Sequence, residues 1–316
     1  MPTPLQNRGL AIVRTLRSEE SPPQPRRPDP RIGVALGGGS ARGLTHISFI
    51  EAMDELGVRP QVISGTSIGA LIGAGWANGM TGKDLREHSI EVLGTMRAIA
   101  ARLWGAQVKR LSSILQEGLT VQLDGHAVVD SFLPGNFPPN FEDLQIPLYV
   151  VATDYESWHQ VVFSAGPLRG AIAGSIAIPS LFAPVNFQNH VLVDGGVVNP
   201  LPLDQAASGT DILVGIDVNG DPSEQERRPA LGPIDVWFGS AQIMMHSLTA
   251  HMMAAYPPDV FVRPHVSVFG AMEFWRVREI IDHVERDKEH FKRALAARIE
   301  NFIRSGPGHS DRAEDR

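Results

Sequence analysis

The chain of 316 residues is 43% apolar and 20% charged, enough to bury a core of one large or two ordinary domains, and it is not disordered as a whole. Its net charge of −7 excludes broad capture of a polyanion such as nucleic acid, because that affinity needs a surplus of Lys and Arg to neutralise phosphates. The absence of cysteine excludes disulfides, thiolate nucleophiles and Cys-ligated metal centres, and suits a reducing cytosol.

Residues 1–30 hold seven prolines and five arginines without apolar periodicity, which predicts a flexible leader. Leu10 to Val13, lying between arginines, is too short for a secretory core. RIGVAL (31–36) is a short apolar run broken by three glycines and predicts a buried parallel strand. In 41–57 the residues Leu44, Ile47, Ile50, Met53 and Leu56 share one helical face, and Gly57 is the stop. QVIS (61–64) predicts a second strand and Ser67 to Ala77 a second helix, so the chain opens as a right-handed βαβα unit. Further strands are expected at 146–153, 159–165, 190–193 and 211–218, and helices over most of 83–116, 234–254 and 273–304. Ile280, Ile281, Val284, Phe291, Leu295, Ile299 and Phe302 form the inward stripe of the last helix. The fold class that follows is α/β, a three-layer α/β/α sandwich on a mostly parallel sheet, with one domain over 31–304 and a flexible tail over 305–316. Two long uncharged stretches, 60–82 and 170–193, are interrupted by glycines or prolines and read as buried core rather than membrane spans.

Three segments carry candidate chemistry. Gly65, Thr66, Ser67, Ile68 and Gly69 form a GxSxG nucleophile elbow between a strand and a helix, the context that motif requires. Such a turn exposes the Ser67 hydroxyl at a helix N-terminus, which favours the negative charge that develops during attack. The four-residue spacing of Gly65, Gly69 and Gly73 also fits a packed transmembrane helix, but close packing of a soluble helix on a sheet explains it more simply. GGGSARG (37–43) joins the first strand to the first helix, where unpaired amides collect anions. It lacks the third glycine of a dinucleotide loop, since Arg42 stands there, and Leu44 and Thr45 replace the Lys-Ser/Thr of a phosphate loop. The better reading is an oxyanion hole, with the amides of Gly38 and Gly39 aimed at a tetrahedral intermediate. Finally, Asp194-Gly195-Gly196 ends a short apolar strand, where a carboxylate could face Ser67. Alone it is equally a turn signal.

With these segments in this order, and SIAIPSLFAPV (175–185) shortly before Asp194, the chain resembles the patatin-like phospholipases over roughly residues 31–220. The likeness is greatest to the bacterial branch related to the catalytic domain of neuropathy target esterase. The resemblance implies a serine acyl hydrolase acting on phospholipid or lysophospholipid esters through a Ser67–Asp194 dyad, without cofactor or metal. It also implies that Gly37, Gly38 and Gly39 hold the oxyanion and that Arg42 serves as a substrate-phosphate contact or a conformational one. Its implied setting is cytoplasmic, with peripheral contact to a membrane. A solvated aspartate, with its ordinary pKa of about 3.9, is a poor base for a hydroxyl, so this chemistry requires a dry site.

Two alternatives stay open on the residues alone. His246, His251 and His265 follow Asp194, so the Ser, Asp, His order of an α/β-hydrolase triad is available, although there the glycine loop usually lies well upstream of the elbow. A catalytically silent binding or scaffold module is the other. His46 reads as a packed helix residue, and His283 and His290 as surface. HExxH and acidic calcium-loop spacing are absent. From Leu93 to Leu115, Met96, Ile99, Leu103, Trp104, Val108, Leu111 and Ile114 recur at helical spacing with Arg97, Arg102, Lys109 and Arg110 among them. That segment is either an ordinary cover helix or a basic amphipathic helix that rests on an anionic bilayer or caps an acyl groove.

Overall fold

The computed structural model describes residues 29–107, 122–221 and 232–305. The leader, the tail from 306 and the basic stretch from 108 to 121 lie outside the described residues, as do the side chains of 95–107 in the same amphipathic segment.

The first strand, β1 (Ile32–Leu36), pairs in parallel with β2 (Val62–Thr66) and β7 (Ile212–Ile216), and all three are buried along their length. The parallel array continues through β8 (Val260–Val262) beside β7 and β3 (Leu148–Asp154) beside β2. The strands sort their side chains strictly by face. Ile32, Val34 and Leu36 of β1 and Ile212, Val214 and Ile216 of β7 enter the main core, while Ala35 and Leu213 enter a smaller second one. The main core lies under α1 (His46–Glu55), α2 (Ile68–Ala77), α3 (Gly82–Gln107), α4 (Gly125–Phe132) and α5 (Leu168–Ser175). The second core lies under α6 (Leu203–Ala207) and α7 (Pro233–Ala255). The result is the expected three-layer α/β/α sandwich. α8 (Val277–His283) and α9 (Glu285–Arg304) close the main-core side.

Pairing at the edge of β3 has consequences for function. β4 (His159–Phe163) runs antiparallel along Val150–Asp154 on one edge of β3, and β2 occupies the other edge as far as Val151. β6 (His190–Asp194) pairs antiparallel with Ala152–Asp154, so it must share the edge held by β2 and meet that strand head-on. Thr66 pairs with Val151 and Asp194 with Ala152. Register alone therefore brings the residue after Thr66 beside Asp194. β5 (Val185–Phe187) forms a hairpin with β6 and completes the sheet.

The expected helix over 41–57 begins instead as a 3₁₀ turn, Ser40–Thr45, before α1; Leu44, Ile47, Ile50 and Met53 are nonetheless fully buried. The long helix expected over 273–304 breaks at Val284 into α8 and α9. No described helix is long and apolar enough to cross a membrane.

Candidate active site

Both glycines of the elbow are dictated by space. A Cβ on Gly65 would fall 2.6 Å from the backbone nitrogen of Ala70, and one on Gly69 would fall 2.2 Å from the carbonyl oxygen of Leu36. Those atoms are backbone and cannot move aside. Every residue of α2 is buried, and its small residues let it lie against the sheet, which accounts for the spacing of Gly65, Gly69 and Gly73. Between the two glycines Ser67 is held at φ 56°, ψ −124°, a conformation that L-residues rarely adopt and that is typical of stored strain at a reactive turn.

Ser67 and Asp194 meet. The Ser67 hydroxyl donates to Asp194 Oδ2 at 2.6 Å, within the range of a charge-assisted O–H···O⁻ bond, and the Gly196 amide donates to Asp194 Oδ1 at 2.7 Å. Asp194 is further fixed through its backbone, donating to the Ala177 carbonyl and accepting from Thr153 Oγ1. Burial raises the Asp194 pKa from 3.8 to about 6, against the opposing pull of the Ser67 and Gly196 hydrogen bonds. A carboxylate in this setting is a far better proton acceptor than a solvated one, while still largely ionised at neutral pH.

The glycine loop lies against the pair, since a Cβ on Gly38 would be 3.5 Å from that of Ser67. Its donors differ from the expectation. The Gly37 amide donates to Ile216 O, continuing the β1–β7 ladder by one residue, and the Gly38 amide then donates to Pro200 O in the segment before α6, each at 2.9 Å. Both residues are buried, whereas Gly39 and Ser40 are half-buried, and their amides have no acceptor among the described residues. Of the two roles expected of Arg42, the contacts favour the conformational one over substrate binding. Arg42 is 6% exposed and does not line the crevice; its guanidinium donates to the Phe269 and Asn219 carbonyls at 2.8 and 2.9 Å. Together with the Ala41 amide bond to Ala271 O, it fastens the glycine loop to the 269–271 segment.

Among the described residues, neither Ser67 nor Asp194 bonds a histidine. His251 Nδ1 is paired with Ser247 O and His265 with Asp287, and both histidines are exposed. His46 is fully buried and donates from Nε2 to Gly37 O; burial lowers its pKa to about 4, so it stays neutral and braces the loop.

Ser67 lines one wall of a cavity of about 620 Å³. Apart from Ser40 and Ser67, its walls are aliphatic, aromatic or thioether side chains, among them Leu44, Leu71, Phe132, Ile176, Phe182 and Trp275. A second hollow of about 340 Å³ is formed by residues 186–191 of the β5–β6 hairpin and contains none of the catalytic candidates.

A family model described as "Patatin-like phospholipase" matches residues 34–207 and so spans all three motif segments. The chain belongs to that family. An uncharacterized NTE family protein of Mycobacterium tuberculosis is 34% identical over 205 residues, 63% of this chain and 52% of the relative. The lysophospholipase NTE1 of Saccharomyces cerevisiae is 27% identical over 271 residues, 79% of this chain and 16% of that protein. The chain thus spans about half the length of its mycobacterial relative and a smaller share of the yeast one. VipD from Legionella pneumophila aligns with a TM-score of 0.41 and 15% identity over 82% of this chain and 68% of its own.

One residue of this patatin-like site is visible in the sequence only as part of a recurrent family segment. Ser175, fully buried at the end of α5, accepts from the Ser67 amide at 2.8 Å and donates to Val151 O at 2.6 Å, tying the strained elbow to β3. Ser175→Ala leaves a buried amide unpaired, which costs about 1–3 kcal/mol. The expected result is a lower melting temperature together with reduced kcat at little-changed KM, since Ser67 loses its fixed position rather than its binding surface. Chemical denaturation and steady-state kinetics on a medium-chain ester check both.

Proposed function

We propose that this patatin-like chain is a lipid acyl hydrolase that cleaves carboxylic esters of phospholipids or lysophospholipids through a Ser67–Asp194 dyad. The observation that carries the reading is the 2.6 Å bond between the two side chains at the head of an apolar cavity. Ser67 Oγ attacks the ester carbonyl carbon as its proton passes to Asp194. The intermediate collapses, the leaving alcohol takes that proton, and the acyl group remains on Ser67. Water then attacks the acyl-enzyme, giving one proton to Asp194 and ending as the free acid, and the proton returns to Ser67. The amides of Gly39 and Ser40 are the donors assigned to the oxyanion; each such donor is typically worth about 10²- to 10³-fold in rate. The cavity favours a hydrocarbon tail, because each buried methylene contributes about 0.8 kcal/mol. The lysophospholipase named among the relatives points to the same substrate class.

A fluorophosphonate probe followed by mass mapping tests the reading. Labelling at Ser67, abolished in Ser67→Ala, is the expected result. A folded protein that takes no label and cleaves no medium-chain ester is the scaffold outcome and overturns it.

A further inference from the structure

From Val236 to Tyr256 the sequence contains no Asp, Glu, Lys or Arg, although this stretch of α7 is not wholly buried. Exposed positions among its described residues, including Val236, Ser240, Ile243, Met244, Ser247, Ala250 and His251, recur at the helical period and form one continuous stripe. From Val236 to His251 that stripe is roughly 22 Å long. Ile243 is 71% exposed and Met244 62%. A helix facing water normally carries charge on its outer side, so this one is made for a different contact.

Its place in the fold indicates which. Met245, the next residue, packs on Gly196: its Cε lies 2.9 Å from where a Cβ on that glycine would be, and Gly196 binds the Asp194 carboxylate. Val197, which follows, is 50% exposed. From the other layer of the sandwich, Leu123, Met272 and Trp275 line the apolar cavity and remain substantially exposed. Exposed apolar side chains therefore stand on both sides of the catalytic pair, Val197 beside Gly196 under α7 and Leu123, Met272 and Trp275 at the cavity, and a lipid surface laid across them would meet the cavity mouth. Net charge sets the kind of surface. A chain of net charge −7, docking through an uncharged stripe, gains nothing from anionic head groups.

We infer that α7 lies in the plane of a zwitterionic lipid surface and seats the mouth of the cavity on it. This rests on the proposed lipid hydrolase function for its purpose, but not for its test. Partition of the full chain onto phosphatidylcholine vesicles is measured by flotation at low and high salt, for the parent, for Ile243→Glu/Met244→Glu, and for both in a Ser67→Ala background. The expected result is salt-insensitive binding by the parent, at least tenfold weaker in the double variant with an unchanged melting temperature, and the same contrast in the Ser67→Ala background. Loss of ester cleavage by the parent would remove the hydrolase reading while leaving this contrast intact. Equal partition of parent and double variant, failure of the parent to bind phosphatidylcholine, or a parent dimer that the double variant converts to monomer would each overturn the inference, the last by showing that the stripe joins two copies of the chain.

Discussion

Replacing Asp194 with Asn is expected to lower kcat/KM on a soluble ester by about 10²- to 10⁴-fold, the span over which a positioned acid–base group contributes. The same change should make the folded protein more stable at pH 8. The two effects share one cause. Burial raises the Asp194 pKa from 3.8 to about 6, so holding the ionised carboxylate at high pH costs about 3 kcal/mol relative to an unshifted group. The sign follows from proton counting: between the two pKa values the folded chain keeps a proton that the unfolded chain has lost. Wild-type stability from this group is therefore greatest below pH 3.8 and falls as pH rises through about 6. Asn escapes that penalty, its Oδ1 can still accept from the Gly196 amide, and the Ser67 hydroxyl can turn to accept from Nδ2. Denaturant titrations should show Asp194→Asn more stable by about 1–3 kcal/mol at pH 8, with the gap closing as pH falls toward 3.8. In the parent, kcat/KM should be flat above pH 6 and fall tenfold per unit below it. A variant less stable than the parent at pH 8 would show that hydrogen bonding to the carboxylate outweighs its desolvation.

The legibility of these features in the sequence follows their physical origin. β1, β3 and β7 announce themselves because strands buried on both faces read as near-continuous apolar runs, and the elbow that begins in β2 does so because its glycines are sterically obligatory. β5, β8 and α6 span only three, three and five residues, too few for any period to register. α5 is buried except at Arg169, so it lacks the polar face that would mark it as a helix. The site divides the same way. Ser67 and Asp194 stand in compact motifs, but their meeting depends on β6 abutting β2 along one edge of β3, a pairing register that no local pattern encodes. The proposed oxyanion donors, Gly39 and Ser40, differ from the Gly37 and Gly38 amides for a related reason: those two amides are already bonded within the fold. Which loop amides are taken depends on partners far along the chain, Ile216 of β7 for Gly37 and Pro200 for Gly38, as much as on the glycines. Arg42 is legible as a motif residue, but its carbonyl partners at 219 and 269 lie far along the chain.

The second large effect is expected at Gly69, where Ala should cost about 3 kcal/mol or more, the upper end of the range for overpacking. Ala is ordinarily favoured over Gly inside a helix by up to about 1 kcal/mol, so propensity alone predicts stabilisation at this position in α2. The contact geometry reverses the sign. The new methyl would lie 2.2 Å from Leu36 O, 2.7 Å from Leu36 C and 2.8 Å from Gly37 O, all backbone atoms of β1 and the loop that follows it. Relief requires α2 to move off the strand, and α2 begins at the residue after Ser67. Displacement on the order of an ångström at the elbow would stretch the 2.6 Å Ser67–Asp194 bond and part the nucleophile from the glycine loop together, so activity should fall about 10²-fold even in molecules that remain folded. Gly57→Ala is the control. Gly57 has no atom within 4 Å of its Cβ position, and its φ of +67° confines the penalty to backbone strain at the end of the first helix, away from Ser67. Thermal denaturation paired with active-site titration separates the two: Gly57→Ala should lose stability but keep full activity per folded molecule, whereas Gly69→Ala should lose both. Full activity per folded molecule in Gly69→Ala would mean that the elbow holds its geometry without the close approach of α2 to β1.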